Sequence, residues 1–327
     1  MTAAEFDRLW ALAHECLRRG DVEGAIVSLC RAIVARRDEV NAQRLLCRLL
    51  QDHPAAFASP APPQPPGRPL GLVSVVTCSI DSRKFDRVRA SYARAFGDAP
   101  WELIGIHDAR SLAEGYARGL ASARGETIVF SHDDIDVLSG DLGGALGRAF
   151  ACADVVGVVG TTKLLGPAHA WGGTEHARGR IVQPSRSGAG LDLVLCNLAT
   201  GVTTGLEAVD GVFIAATRGT VEAIGFDAAT FDGFHLYDLD FTYRAHLAGM
   251  RVGVSSEIVL RHDSEGRFDA RWEACARRFL AKFPQVNGTR APNAVAVASF
   301  ADAASLIMFC ARLDEAGRRA AAPDSTY

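Results

Sequence analysis

From Leu70 onward the chain alternates short β-branched runs with segments of helical spacing, and several of the runs end on polar residues. Gly71-Leu-Val-Ser-Val-Val-Thr77 reads as a buried strand, followed by a helix through Phe85, Val88, Tyr92 and Phe96. Trp101–Ile106 is a second strand, Ser111–Ala123 a second helix and Glu126–Phe130 a third strand. A helix over Leu142–Cys152 and a strand over Asp154–Val159 continue the pattern. Such alternation predicts a mostly parallel α/β sheet flanked by helices. Ligands on these sheets bind beyond the carboxyl ends of the strands. Here those ends carry Thr77-Cys78-Ser79, His107-Asp108 and His132-Asp133-Asp134.

The preceding residues have another character. The length of 327 residues suggests about two domains, and 7 of the 13 prolines fall between Pro54 and Pro69. That density favours extended polyproline II and predicts a linker without a packed core element. The expected division is a helical module over 1–53, a linker over 54–69, a catalytic domain over 70–290, and a C-terminal helix and tail over 291–327. In the module, Leu9, Ala13 and Cys16, the Gly20-Asp21 turn, and Ala25, Leu29 and Ala32 resemble a tetratricopeptide repeat. A single repeat needs neighbours to bury its face. It is therefore either a docking or self-association module for a protein partner, or an appendage packed on its own catalytic domain. Residues 268–283 and 294–316 read as further helices, and Ala320–Tyr327 as a tail.

Composition removes several classes. The net charge of −3 argues against a nucleic-acid partner. The eight cysteines form no C-x-x-C pair, which speaks against a zinc ribbon. No apolar run is long enough to span a bilayer, and the N-terminus lacks a signal-peptide pattern. The expectation is a cytoplasmic protein, with the apolar 294–316 segment leaving open a peripheral contact at the inner membrane face.

Three polar clusters carry chemistry. In Phe130-Ser131-His132-Asp133-Asp134-Ile135-Asp136 a buried strand delivers carboxylates into a loop, where their repulsion calls for a cation or generous solvent. A hard divalent ion, Mn²⁺ or Mg²⁺, fits oxygen donors, and a His ligand favours Mn²⁺. His132-x-Asp134 is the preferred pair over Asp134-x-Asp136 because it lies nearer the strand end. Helix capping by Asp136 or Asp141 is the structural alternative. In Gly233-Phe-His-Leu-Tyr-Asp238-Leu-Asp240 the acids open a helix, a placement that suits either the helix dipole or a general base. In Leu260-Arg-His262-Asp-Ser264, a His after a strand is a metal or phosphate ligand, or a structural His.

Taken together, about residues 71–285 resemble family 2 glycosyltransferases of the GT-A fold. They look most like the glycosyltransferase-like domain named after a streptomycin-biosynthesis protein. The residues that carry this are Val73–Ser79, Ser111-Leu-Ala with Gly115-Tyr116, Ile128–Ile135, Trp171-Gly-Gly173, Val209-Asp-Gly211-Val-Phe, Phe226-Asp227, Gly233–Asp240, and His262 with Ser264 and Gly266. Tyr116-Ala117 and Tyr237-Asp238 depart from the family's usual Tyr-Asn and acidic pairs. The resemblance implies Asp238 as catalytic base, and Asp134 with His132 and His262 as metal site. It implies donor contacts from Thr77, Cys78, Ser79, Asp108 and Asp133, and an acceptor and sugar region with Trp171, Asp210, Gly211, His235 and Asp240. The implied reaction is a metal-dependent, inverting single displacement. A sugar would move from a nucleoside-diphosphate sugar to a hydroxyl of a glycan, lipid-linked sugar, protein or small metabolite. Two other classes are weighed beside it. One is a non-catalytic nucleotide-sugar-binding scaffold. The other is a nucleotidyltransferase, which the absence of a glycine-rich Arg/Lys phosphate loop disfavours.

Overall fold

The computed structural model describes residues 3–58, 67–264, 266 and 268–322. Most of the proline-rich stretch, 59–66, and the end of the expected tail, 323–327, lie outside the described residues. Three helices come first: α1 (Ala3–Arg18), α2 (Val22–Ala35) and α3 (Val40–Asp52). Then follow β1 (Val73–Cys78), α4 (Ser82–Phe96), β2 (Trp101–Ile106), α5 (Leu112–Ser122), β3 (Thr127–Ser131), β4 (Ile135–Val137) and α6 (Leu142–Ala149). The middle of the chain holds β5 (Val155–Gly157), β6 (Val159–Thr161), a 3₁₀ turn at His169–Gly172, α7 (Gly173–His176), β7 (Ala177–Pro184) and β8 (Leu191–Leu195). Next are β9 (Val202–Thr204), β10 (Ala208–Val209), β11 (Phe213–Thr217), α8 (Arg218–Ile224), α9 (Tyr237–Leu247), β12 (Val252–Ser255) and β13 (Leu260–His262). The chain closes with α10 (Ala270–Lys282), β14 (Ala296–Phe300) and α11 (Ala303–Ala321).

The α/β class expected from the alternation is the one observed. The main sheet has seven strands in the order β2-β1-β3-β11-β5-β12-β9. β1 pairs in parallel with β2 and β3, and β12 with β5, whereas β11 and β9 run against their neighbours. Strand side chains alternate between faces. Val76, Ile128, Phe130 and Ile214 accordingly join a core under α5, α8, α9 and α10. Val73, Val75, Val129 and Phe213 join one under α4 and α6.

A second sheet, β10-β6-β7-β13-β4 with β8 on β7 and β14 on β8, has no counterpart in the sequence reading. The run Asp154–Val159, read as one strand, is split. β5 belongs to the main sheet, and the chain turns at Val158 to feed β6 into the second. Residues 294–316 begin as strand rather than helix. Ala296 and Ala298 point inward and Val297 outward, a period of two, and Asp302 then caps α11 by accepting from the Ser305 N–H at 2.8 Å.

The N-terminal helices sit on this second sheet. One continuous core joins Leu9, Ile26, Leu29 and Leu46 to Leu193, Ala296, Phe309 and Leu313. Arg312 donates to the carbonyls of Leu50 and His53, which end α3. The proline-rich stretch also begins inside this core: Phe57 is 3% exposed, and its N–H donates to Glu23. The Ala-Ala-Phe interval before the dense prolines supplies the apolar side chain that the linker reading overlooked.

Candidate active site

Three adjacent parallel strands aim their carboxyl ends at one place. β3 ends in Ser131, and the His132 N–H donates to the Val212 carbonyl at the start of β11. The loop then returns as β4, which pairs antiparallel with β13, so that Ile135 faces His262. The Asp263 N–H donates to the Asp134 carbonyl at 2.9 Å. This register sets His262, far away in sequence, beside Asp134. Their Nε2 and Oδ1 atoms are 3.3 Å apart, and His262 Nε2 is 3.4 Å from His132 Nδ1. One donor atom from each of His132, Asp134 and His262 lies within 4.8 Å of the others. Around an ion with bonds of about 2.0–2.2 Å, ligand pairs lie about 3–4.4 Å apart, so small torsional changes close the set. Two imidazoles and one carboxylate suit Mn²⁺, which accepts nitrogen donors more readily, better than Mg²⁺. The competing ligand Asp136 is engaged elsewhere, accepting from Ser91 and pairing with Arg94.

The base candidate arrives on α9. Leu236, just before the helix, holds φ 64°, a left-handed conformation that costs a bulky residue about 1–3 kcal/mol and is typical of functional sites. Asp238 accepts from the Gly211 N–H at 2.8 Å. The Tyr237 hydroxyl donates to the Gly211 carbonyl at 3.1 Å and lies 2.8 Å from His132 Nε2. With its proton committed to Gly211, this hydroxyl accepts from His132 Nε2–H. That fixes the tautomer whose Nδ1 lone pair faces Asp134 and His262. Only glycine fits at 211: a Cβ there would stand 2.3 Å from the Tyr237 hydroxyl. Tyr237 is the residue whose role sequence reasoning missed, because it was seen only as a departure from an acidic pair.

The electrostatics differ among these groups. Burial opposes ionisation of Asp134, but hydrogen bonds from His262 and Ser264 and the nearby imidazoles hold its carboxyl well below the usual range. Burial likewise works against a charge on His262, yet the Asp134 carboxylate outweighs it and raises the imidazole pKa. Burial and the neighbouring His262 push His132 down, toward the neutral ligand form. Asp238 moves the other way: burial first, then the charge of Asp210, raise it to about 7 despite the backbone N–H groups it accepts from. Asp210 is itself held down by His169, 3.3 Å away, against its own burial.

These groups stand where two cavities meet, sharing His132 and Phe234. The larger, about 540 Å³, is lined by Asp210, Gly211, His235, Asp238 and His262. The smaller, about 290 Å³, is lined by Cys78, Ser79, Ile106, Leu112, Asp133 and Asp134. Asp133 is fixed there by the Ser79 hydroxyl at 2.8 Å and by Lys84 at 3.4 Å. Three expected residues fall elsewhere or behind. Thr77 is fully buried under the strand end, its hydroxyl without a partner. Asp108 turns to solvent and pairs with Arg118. Trp171 stands behind the larger cavity, its ring 5.8 Å from that of Trp272. Asp240 must be reassigned. It is fully buried on another side of α9, paired with Lys282 at 2.5 Å and Arg244 at 2.7 Å. Residues two apart on a helix project about 200° from each other, so Asp238 and Asp240 cannot serve one cavity.

The site thus belongs to an α/β protein whose polar strand ends, metal-competent triad and buried acid converge. Residues 74–283 match the model of the family described as "Glycosyltransferase like family". The chain belongs to that family, and its class of activity is glycosyl transfer. Solved structures with a similar fold include the mannosyltransferase PcManGT from Pyrobaculum calidifontis, in complex with GDP-Man and Mn²⁺. It is 14% identical at a TM-score of 0.38, with 90% of this chain and 85% of that one covered. GalNAc-T7 with UDP, GalNAc and Mn²⁺ is 10% identical at a TM-score of 0.42, covering 61% of this chain and 44% of that one. S. aureus TarS 1-349 is 12% identical at a TM-score of 0.37, covering 64% and 66%. No curated protein sequence matches the chain significantly.

Proposed function

We propose that the protein is a metal-dependent, inverting glycosyltransferase that moves a sugar from a nucleoside-diphosphate sugar to an acceptor hydroxyl. The observation that carries this reading is the convergence of His132, Asp134 and His262 with Asp238 at the junction of two cavities. The nucleoside occupies the smaller cavity, between the ends of β1 and β2, with Asp133 held by Ser79 and Lys84 to meet it. His132, Asp134 and His262 would hold the divalent ion, which would there neutralise the charge of the departing diphosphate. Asp238 takes the proton of the acceptor hydroxyl in the larger cavity. Attack from that side, opposite the leaving group, inverts the anomeric carbon. The Gly211 N–H holds Asp238 in place, and burial and the charge of Asp210 keep its proton affinity high.

The streptomycin-biosynthesis-type branch is the proposed subfamily, supported by the motif order from Val73 to Gly266. The α1–α2 pair is proposed to be a tetratricopeptide-like unit that uses α11 and the second sheet as its neighbour. No helix among the described residues is long and apolar enough to cross a membrane. The cysteines are all free thiols, which fits a reducing, cytoplasmic compartment.

Calorimetry against a panel of nucleoside diphosphates, with and without Mn²⁺, tests the donor side. Asp134→Ala should abolish the metal-dependent part of binding. Asp238→Asn should lose transfer while still binding donor. Transfer at the wild-type rate in Asp238→Asn removes the base assignment, and metal-insensitive binding without transfer points instead to a scaffold.

A further inference from the structure

The larger cavity has a feature that metal and base do not use. Among the described residues, the exposed aromatic side chains are Phe234 and Phe268, 53% and 64% accessible, and both line this cavity. Large apolar groups left in water at one place mark a binding surface. Phe268 is also supported from behind. Its ring meets Trp272 edge-on at 4.8 Å, Trp272 leans on Trp171 at 5.8 Å, and the Arg290 guanidinium lies 5.9 Å from the Trp171 ring. Phe268 is the most exposed ring of this contiguous aromatic row. The same cavity is lined by Ile181 on β7, Val194 on β8, and the polar Gln183, Asn293 and His235.

Resting on the reading that this cavity receives the acceptor, we propose that the acceptor is a carbohydrate. One pyranose ring of it lays its C–H face on Phe268, the ring that Trp272 supports edge-on, while its hydroxyl edge reaches Asp238. A pyranose is apolar across its ring face and polar around its rim. It therefore matches a wall of aromatic rings set among amide and imidazole groups. A hydrocarbon chain would desolvate the Gln183 and Asn293 amides without offering them partners, at a cost for each. A peptide Ser or Thr presents its hydroxyl on a short stem and has no flat apolar face for the rings.

The test is saturation-transfer NMR on the full chain with Mn²⁺ and a nucleoside diphosphate. The probes are methyl pyranosides of glucose, galactose, mannose, rhamnose and N-acetylglucosamine, a Ser/Thr peptide, and a short prenyl phosphate. The expected result is transfer onto the ring C–H protons of at least one pyranoside. It should weaken about tenfold in Phe268→Ala and return in Phe268→Tyr. Circular dichroism of each variant confirms that it is folded. Transfer to no pyranoside, equal transfer in folded Phe268→Ala, or transfer confined to the peptide or the prenyl chain overturns the proposal. Manganese-dependent nucleotide binding by the wild-type chain, measured in parallel, reports separately on the glycosyltransferase reading. If that binding is present and no pyranoside responds, only the acceptor class falls.

Discussion

At the scale of single residues, the site sorts three carboxylates by their surroundings. Asp134 faces imidazoles and a hydroxyl and stays ionised, Asp210 is paired with His169, and Asp238 faces Asp210 and is raised. A base works only when deprotonated, so kcat/KM should fall about tenfold per pH unit below about 7 and level off above it. A pH–rate profile that stays flat down to pH 5 contradicts the role of Asp238. The same shift has a consequence for stability. Unfolded, the carboxyl titrates near about 4, so between there and about 7 the folded chain binds the extra proton. Stability from this group is therefore full at low pH and is lost as pH rises. Asp238→Asn should melt higher than wild type at pH 8, and the gain should shrink toward pH 4. Tyr237 has its own test. Tyr237→Phe keeps the ring but releases His132 from its tautomer, and Mn²⁺ affinity should drop about 10–100-fold. Titration of Mn²⁺ by calorimetry reads this directly.

At the scale of elements, the position of Asp238 depends on how α9 is anchored. Lys282, on α10, reaches both Asp227 and Asp240, and Arg244 donates to Asp240 and to the carbonyls of Ile224 and Gly225. One cation thus ties α10 to α9 and to the segment between α8 and α9. Burial works against the charge of Asp227, but Lys282 and Thr230 hold its carboxyl well below the usual range. Lys282→Met should cost about 3 kcal/mol, the lower end for removing one partner of a buried pair, because Arg244 remains on Asp240. Urea denaturation measures it; an unchanged midpoint would mean that the network is not stabilising. The triad is likewise a product of elements: a one-residue slip of β4 against β13 would turn His262 to the other face of the ladder.

At the scale of the whole molecule, the N-terminal helices, the second sheet and α11 form one body around a shared core. A buried ion pair crosses it: Arg180 on β7 with Asp314 on α11, 2.8 Å apart, the Arg side chain 2% exposed. Asp314→Ala would leave that guanidinium with a carbonyl partner, Ser256, and no counter-charge. We expect a loss of about 3–5 kcal/mol by urea denaturation. Removing residues 1–58 should act more broadly. It uncovers Leu193, Ala296, Phe309 and Leu313, so the remaining chain should aggregate or melt well below the full-length protein in light scattering and calorimetry.

The sequence by itself determined the local matters. Alternating apolar periods define α/β layering, polar residues after β1, β2 and β3 locate the ligand end of the sheet, and the order of motifs identifies the family. These are legible because they depend on spacing within one strand or helix. Which distant groups meet was decided by the tertiary structure. The pairing of β4 with β13 set His262 beside Asp134. The close approach of Gly211 to α9 gave Tyr237 and Asp238 their partners. The helical phase of α9 turned Asp240 away from the site and into an ion-pair network. The second sheet holds an eight-residue strand, β7, and an alternating one, β8, with Leu191, Leu193 and Leu195 buried, but which sheet such strands join depends on pairings between separate segments and not on their own period. Its register, fixed by backbone hydrogen bonds between remote segments, exists only once the chain has folded.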